Sequence, residues 1–313
     1  MENSDLNQLF QGYSESVVQR LQSDELLATF QNCSQFLEEH ISNLHPWQVA
    51  LPIISCLAAG GALEAGTSVA TAWYPMYLAS EVLDSVEDKE YIPDLHAPSP
   101  EIATNLATSL IFFAFYTLTQ IKDTEGARQA TRIFSELGFD ATHGQHRDLT
   151  KTPTSVEEAL NDYWEMLILK SGSVFRMATA GGAAAATADD KVIEALGDYG
   201  TALGVMLQLI DDCRDAFTQS QEAITWEISL PLLLYLMTIG EENIVYPQVS
   251  SKAEWSNLLR DLGVIHAISS ILLEWKRRAL ESLEPLRSSN EKFILEQIPS
   301  LFLERLPLTS QEV

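Results

Sequence analysis

Two clusters of acidic side chains lie within otherwise apolar stretches of the chain. The first occupies residues 81–88, which read EVLDSVED. At 3.6 residues per turn of an α-helix, Asp84 and Asp88 lie about 40° apart on one face. Glu81 lies one turn before Asp84, on roughly the same face. The pattern predicts a row of carboxylates along one side of a helix.

The second cluster occupies residues 208–215, which read QLIDDCRD. Four of its residues carry polar oxygens and share one helical stripe: Gln208, Asp211, Asp212 and Asp215. The run of residues 202–210 that leads into it is mostly apolar, so this helix is expected to be largely buried. A polar stripe on a buried helix is typical of a functional site.

Stacked carboxylates repel one another by about a few tenths of a kcal/mol per helical pair, and a bound cation offsets this repulsion. Hard oxygen ligands favour Mg²⁺, which is commonly shared between one or two carboxylates and substrate phosphates. The candidate Mg²⁺ ligands are therefore Asp84, Asp88, Asp211, Asp212 and Asp215. A solvated acidic helix face is the competing interpretation of either cluster alone. Two such clusters in one helical chain favour the metal site.

Composition excludes several classes of partner. The 313 residues include 19 Lys and Arg against 44 Asp and Glu, a formal charge of −25. Nucleic acids and anionic lipid surfaces need a basic face, so neither is an expected partner. An anionic substrate would need bound cations to reverse the local field, which agrees with the metal hypothesis.

The cysteines and the apolar runs predict a cytoplasmic protein without stable membrane insertion. Cys33, Cys56 and Cys213 are widely spaced and form no CxxC pair, so we expect neither a disulfide framework nor a zinc site. The polar, acidic N-terminus does not resemble a signal peptide. The most apolar runs, 106–118 and 229–239, are shorter than a bilayer requires and predict core helices.

Helical periodicity dominates, and we find no convincing strand pattern. The predicted helices are 6–21, 24–41, 46–59, 64–89, 100–122, 124–148, 155–186, 191–217, 230–239, 251–262 and 264–283. Residues 93–100, with three prolines, predict a loop. The sequence contains no linker long enough to separate two domains, so one all-α domain over residues 1–313 is expected.

The order of the motifs resembles the isoprenyl diphosphate synthase superfamily, which has the class I terpenoid synthase fold. The DDxxD motif of that family falls on residues 84–88, with Ser85 in place of its second Asp, and its second motif, QxxDDxxD, is complete at 208–215. Between them, GQHRDL at 144–149 matches GQxxDL, and KSG at 170–172 matches KTG. Residues 228–231, ISLP, resemble the end of the GKxTLP segment. The resemblance covers residues 46–285.

The resemblance implies an all-α bundle around a deep central cavity, Mg²⁺ as cofactor, a prenyl diphosphate as substrate and a homodimer as assembly. It implies that Asp84, Asp88 and Asp211 act in catalysis through the metal, and that Lys170 holds the departing diphosphate. Gln145, Asp148 and Gln208 are implied to orient the substrate. A buried hydrogen-bonded pair is the alternative interpretation of Gln145 and Asp148.

The basic residues that would hold a second diphosphate are missing. In the resembling synthases these belong to a GGKxxRP segment, an Arg pair after DDxxD and a Lys before TLP. Here the corresponding positions carry Ser42 and His45, then Pro93 and Asp94, then Glu227. A bound phosphate needs cationic donors, which these residues do not supply. The ionisation of one prenyl diphosphate is therefore expected without condensation with isopentenyl diphosphate.

Two branches of the superfamily are built this way. One comprises synthase-like terpene cyclases, and the other comprises bacterial quorum-sensing prenyltransferases that modify a pheromone peptide. Similarity to the second branch includes residues 144–146, the Glu87-Asp88 ending of the first motif and residues 263–268. The intact second motif favours cyclisation, because the peptide-modifying branch commonly has a degraded one. Ordinary elongation and a non-catalytic subunit are the further alternatives.

Pocket depth is indicated by the residues four and five positions before Asp84. In the resembling synthases, bulky residues there form the floor of the pocket, whereas here they are the small Ser80 and Ala79. This implies room for a prenyl chain of C20 or longer. Five aromatic residues on the same set of helices are expected mainly in the core: Trp73, Tyr74, Tyr77, Phe113 and Phe175.

Overall fold

All regular elements of the described part of the chain are helical, as the sequence predicts. The structure is a computed structural model that describes residues 3–41, 45–93, 95–186, 189–220, 222, 224 and 226–304. Ser42 and Asp94, at which basic residues are missing, lie outside these ranges.

The helices are α1 (Asn3–Gln22), α2 (Glu25–Ala28), α3 (Gln31–Ile41), α4 (Pro46–Ala58), α5 (Leu63–Glu87), α6 (Pro100–Leu118), α7 (Thr124–Thr150), α8 (Val156–Leu167), α9 (Ser173–Ala185), α10 (Asp190–Ala216), α11 (Leu230–Thr238), α12 (Lys252–Asp261), α13 (Val264–Ser282) and α14 (Asn290–Leu303), with a π-helical turn at Ile168–Gly172 between α8 and α9.

Local capping explains where several of these helices begin. The Ser155 side chain accepts a hydrogen bond from the backbone N–H of Glu158 and starts α8, as its position before two glutamates predicts. The Asp123 carboxylate accepts from Gly126 N–H at the start of α7. Gly263 has a φ of 73° and separates α12 from α13, the break that a glycine at that position predicts.

Three features of the helix pattern differ from the prediction. The predicted helix at 24–41 is two helices, and the one at 155–186 is interrupted by the π-helical turn. Helix α14 was not predicted, although Ser289 caps it by accepting from Lys292 N–H. Periodicity alone misses the π-helical turn because a turn of five residues barely changes the apolar pattern, and it misses α14 because Pro299 lies inside that helix.

Helices α4, α5, α7, α9 and α10 form the centre of the bundle. Helix α5 packs against α4, α6 and α9, and α10 packs against α9 and α13. The small residues of α9 are fully or almost fully buried. A Cβ at Gly182 would overlap the backbone of Pro52 in α4, so only glycine permits the observed approach of these two helices.

Helix α6 is longer than its apolar run suggested. It begins at Pro100, six residues before the run at 106–118, and by length and apolarity alone it meets the requirement for a membrane span. The expectation that this segment is too short is therefore wrong. About half of its apolar window (44%) is buried, because one face packs against α5. The opposite face exposes Phe112, which is 72% accessible.

Candidate active site

A cavity of about 520 Å³ lies between α4, α5, α7, α9 and α10, within the size range of small-molecule sites. Both acidic clusters contribute to its wall: Glu81, Asp84 and Glu87 from α5, and Gln208 and Asp211 from α10. Gln145, Lys170 and Ser80 also line it. The fold therefore brings together the motifs that the sequence analysis assigned to one site.

Lys170 lies between carboxylates from two helices. Its Nζ is 2.7 Å from Oδ1 of Asp84 and 3.0 Å from Oδ2 of Asp148. Burial would lower the pKa of Lys170, but Asp84 and Asp148 raise it well above its ordinary value. The side chain of Lys170 is 18% accessible, so this permanently charged ammonium is available at the cavity wall.

Asp148 is held by two lysines. Lys151 Nζ lies 2.6 Å from its Oδ1, and Lys170 donates to its Oδ2. Burial would raise the pKa of Asp148, but the two lysines outweigh burial and hold this pKa below its ordinary value. Asp148 therefore positions Lys170 by an ion pair and forms no hydrogen-bonded pair with Gln145 in the described structure.

The π-helical turn at Ile168–Gly172 places Lys170 at the cavity. A π-helical turn contains an extra residue and commonly occurs at functional sites. Helix α7 crosses this turn closely, because a Cβ at Gly144 would overlap the backbone of Lys170. The Gly-Gln and Lys-Ser-Gly motifs therefore pack against each other. Their spacing along the sequence does not predict this contact.

Gln145 has an amide group without a protein partner. Both its Nε2 and its Oε1 are inaccessible and lack a hydrogen-bond partner among the described residues. Because unsatisfied buried amides cost about 1–3 kcal/mol, such a group fits a ligand-binding role. This observation favours the predicted substrate contact over a structural pair.

Glu81 belongs to the first acidic cluster and lies near Asp211 of the second. Burial raises its pKa to about 7, and Asp84 and Asp211 add to the effect. More than a third of the surface of Glu81 is nevertheless accessible, because the residue lines the open cavity. The Tyr77 hydroxyl hydrogen-bonds to this carboxylate. A carboxyl group that is partly protonated near neutral pH can exchange a proton with a bound substrate.

Asp212 differs from Asp211 in its surroundings. Its Oδ2 accepts a hydrogen bond from the Tyr163 hydroxyl (2.6 Å), and its Oδ1 accepts from Gln208 Nε2 (3.2 Å). Burial raises its pKa despite these bonds. Gln208 in turn accepts from the Ser171 hydroxyl at 2.9 Å. Asp212 and Gln208 therefore connect α10 to α8 and to the π-helical turn, and Asp212 is not part of the cavity wall.

The other predicted ligands lie at different positions. Asp211 faces the cavity, with Arg214 Nη1 3.6 Å from its Oδ1. Asp88 is exposed just beyond the end of α5, and burial and Asp84 raise its pKa. Asp215 is exposed and does not contribute to the cavity wall. The arrangement directs Asp84 and Asp211 into the cavity from opposite helices.

The donor set fits divalent metal shared with a substrate. Within the described ranges, no three His, Cys, Asp or Glu side chains lie close enough to hold an ion among themselves. Accessible carboxylates nevertheless face the cavity from α5 and α10. Hard cations such as Mg²⁺ accept one or two carboxylates and complete their shell with phosphate oxygens and water. Asp84, Asp211 and the adjacent Asp88 are the residues that would hold such ions.

The predicted cavity floor is only partly in place. Ser80 lines the cavity, and its hydroxyl donates to the carbonyl oxygen of Tyr77 at 2.7 Å. Ala79 is fully buried and does not line the cavity. Five residues before Asp84 correspond to about 140° around the helix, so Ala79 lies on a different face. Tyr77 and Phe175, which were expected mainly in the core, line the cavity.

Acidic side chains surround Glu227, the residue that replaces a lysine of the resembling synthases. Partial burial raises the pKa of Glu227, as do Glu90 and Asp88, against the opposing effect of Lys151. Two other arginines that could supply positive charge, Arg147 and Arg277, are already engaged in ion pairs. Arg147 pairs with Asp162 and Glu165 at 2.8 Å, and Arg277 pairs with Glu274 at 2.7 Å. Arg214, which sequence reasoning missed, does line the cavity.

Comparison with known proteins agrees with this geometry. A family model described as polyprenyl synthetase matches residues 95–224. A short chain isoprenyl diphosphate synthase of Methanothermobacter thermautotrophicus is 24% identical over 82% of this chain and 85% of its own. The tryptophan prenyltransferase ComQ of Bacillus subtilis is 24% identical over 84% of this chain and 90% of its own.

The fold is shared with a polyprenyl synthase from Caulobacter crescentus, solved with calcium and isoprenyl diphosphate. That structure has a TM-score of 0.76 at 19% identity and covers 96% of this chain and 97% of its own. The helices and the motif-lined cavity define an all-α fold that is shared with this polyprenyl synthase. The chain is thus similar to isoprenyl diphosphate synthases in its motifs, in part of its sequence and in its fold.

Proposed function

We propose that the protein ionises a single prenyl diphosphate with the help of divalent metal, and that the carbocation then cyclises inside the cavity. The observation that carries this proposal is the contrast between the two halves of the site. Asp84, Asp211 and Lys170 face the cavity together, whereas Glu227 stands among further carboxylates. The first set of residues can bind one diphosphate, whereas the acidic surroundings of Glu227 do not suit a second.

The first half of the reaction follows from charge. Bound Mg²⁺ supplies the positive charge that withdraws electrons from the leaving diphosphate. Lys170, already protonated and next to Asp84, donates hydrogen bonds to the departing diphosphate oxygens. The Gln145 amide provides further hydrogen-bonding capacity in the same wall. These groups hold the leaving group while the allylic C–O bond breaks.

The second half follows from the cavity wall. Tyr77 and Phe175 face the cavity with ring centroids 6.0 Å apart, and Trp73 stacks behind Tyr77 at 5.1 Å. Aromatic faces stabilise a nearby cation by about 0.5–2 kcal/mol. An internal double bond of the same prenyl chain is the nucleophile that needs no additional binding pocket.

The test is incubation of the protein and Mg²⁺ with C10, C15, C20 and C25 prenyl diphosphates, without isopentenyl diphosphate. We expect a cyclised hydrocarbon or alcohol plus diphosphate, identified by mass spectrometry of the organic extract. Asp84→Ala is the control that should abolish the product. A chain lengthened by one isoprene unit, after isopentenyl diphosphate is added, would contradict the proposal and restore elongation.

A second candidate is transfer of the prenyl group to a peptide. Two observations favour it: the similarity to a tryptophan prenyltransferase, and the acidic residues Asp88, Glu90 and Glu227, which would attract a cationic acceptor. A tryptophan-containing peptide flanked by lysines should then accelerate diphosphate release, whereas the same peptide flanked by glutamates should not. Equal rates with both peptides and without peptide would exclude this candidate.

We further propose that the protein is a homodimer that pairs through α6. Ile102, Phe112 and Tyr116 lie within about 80° of one another around this helix, and all three are exposed. Phe139 of α7 is also exposed, at 75%. Phe112→Asp should convert the dimer to a monomer in light scattering after size-exclusion chromatography. A monomeric wild-type protein at micromolar concentration would contradict the assembly.

A further inference from the structure

The cavity extends away from the acidic clusters along three helices. Met177 lies seven residues after Lys170, about 10 Å along the helix, and Gly138 lies ten residues before Asp148, about 15 Å along α7. Met76 lies eight residues before Asp84, about 12 Å along α5. All three residues line the cavity. The diphosphate end and the opposite end of the cavity are therefore built by the same helices.

Helices α7 and α9 run antiparallel, and their contacts show where this end closes. Gly144 meets the backbone of Lys170 at the acidic end, and Gly138 faces Met177 about two turns deeper. One turn beyond, Phe134 covers Gly181 so closely that a Cβ there would lie 2.8 Å from its ring. Phe134 is fully buried, and neither Phe134 nor Gly181 contributes to the cavity wall.

Gly138 leaves space that a side chain would fill. A Cβ at this position would meet a single neighbour, the Met177 Cε at 3.9 Å, which is an ordinary van der Waals contact. By contrast, Ala79 is fully buried away from the cavity, so enlarging it would strain the core instead of shortening the cavity. The position that controls cavity depth without disturbing helix packing is therefore on α7.

We propose that Gly138 and Met177 form the floor of the prenyl channel and set the longest prenyl chain that the protein accepts. This inference rests on the proposed prenyl diphosphate function and specifies its substrate class by chain length. The residues that determine chain length are then Gly138 of α7 and Met177 of α9, and not the residues that precede Asp84. The diphosphate lies at Asp84 and Lys170, and the terminal isoprene unit lies against Met177.

The test is calorimetric binding of prenyl thiolodiphosphates, whose bridging sulfur prevents ionisation, from C10 to C25 in the presence of Mg²⁺. In Gly138→Phe the affinity for the longest analogue that the wild type binds should fall about tenfold or more, because the inserted ring occupies the space of the terminal isoprene unit. The affinity for the C10 analogue should change less than about twofold. Gly12→Phe is the matched control, since Gly12 is an exposed helical glycine with no neighbour within 4 Å.

A second variant tests the floor from the other side. Met177→Ala should extend binding to the next longer analogue, and Gly138→Leu provides a milder block if the phenylalanine variant does not fold. An unchanged length preference in all folded variants, or an equal loss of affinity for every length, would overturn the assignment of the floor. A wild-type protein that binds no analogue of any length would overturn the proposed function, and the assigned floor with it.

Discussion

At the scale of single residues, the site is an electrostatic arrangement that exists before any metal binds. The Lys170 ammonium pairs with Asp84 at the place where a metal ion would otherwise bind this carboxylate. Asp148 forms ion pairs with both Lys170 and Lys151. An ammonium group and a divalent ion compete for the same carboxylate oxygen. If Asp84 binds a metal ion as proposed, we expect Lys170 to leave this carboxylate and to become available to the substrate.

Replacing Lys170 separates these two roles. Lys170→Met should strengthen the binding of Mn²⁺ in the absence of substrate, because Asp84 loses its competing cation. The same variant should reduce kcat/KM by about a hundredfold, since one preorganised donor to the leaving group is lost. Electron paramagnetic resonance of Mn²⁺ measures the first effect. Lys151→Met, which affects Asp148 and not Asp84, should leave Mn²⁺ affinity nearly unchanged; an equal increase in both variants would contradict the competition.

Glu81 predicts a pH dependence of stability in the metal-free protein. Its folded-state pKa of about 7 is above the ordinary value of 4.5, so the folded state binds the proton more tightly than the unfolded state. This destabilises the fold as the pH rises from about 4.5 to about 7. Glu81→Gln should therefore raise the melting temperature at pH 8 in EDTA and lose this advantage near pH 4.5. Glu87→Gln, which removes another exposed carboxylate of α5, is the control; an advantage of Glu81→Gln that is equal at both pH values would contradict the assignment.

At the scale of elements, the positions of most helices can be predicted from the sequence, whereas the position of the π-helical turn cannot. Caps such as Ser155 and Asp123 act within one turn, so they are readable locally. The π-helical turn at Ile168–Gly172 depends on how α7 packs against it, which is a contact between distant parts of the chain. The resemblance to the synthases placed Ala79 at the cavity, and no local pattern indicated Gly138, because its position depends on the contact between α7 and α9.

The contact between Gly144 and Lys170 gives a prediction for an element. Gly144→Ala should gain helix propensity of up to about 1 kcal/mol but lose about 1–3 kcal/mol by overpacking the backbone of the π-helical turn. We expect a lower melting temperature, and lower turnover because Lys170 is displaced. Gly12→Ala, with open space around it, should be neutral or stabilising. A Gly144→Ala protein with unchanged stability would show that α7 does not constrain the turn.

At the scale of the whole molecule, the charge of −25 makes the binding of an anionic substrate dependent on cations. The field of the protein repels a free diphosphate, and the described acidic residues form no group of three that would hold a metal by itself. We expect neither ligand to bind tightly alone. The diphosphate supplies oxygen ligands that the metal lacks, and the metal supplies the positive charge that the diphosphate lacks. We therefore expect metal and diphosphate to bind jointly.

This coupling gives a prediction for thermal stability. Mg²⁺ alone or a prenyl thiolodiphosphate alone should shift the melting temperature little, whereas both together should stabilise the fold by about 3 kcal/mol at a hundredfold excess over Kd. Asp84→Ala and Asp211→Ala should each remove the joint effect while the protein remains folded, because each removes the carboxylate of one wall. Arg277→Ala, on α13 and outside the cavity wall, should retain it. Additive shifts in the wild type would show that metal and diphosphate bind independently, and that the two carboxylate walls do not act as one site.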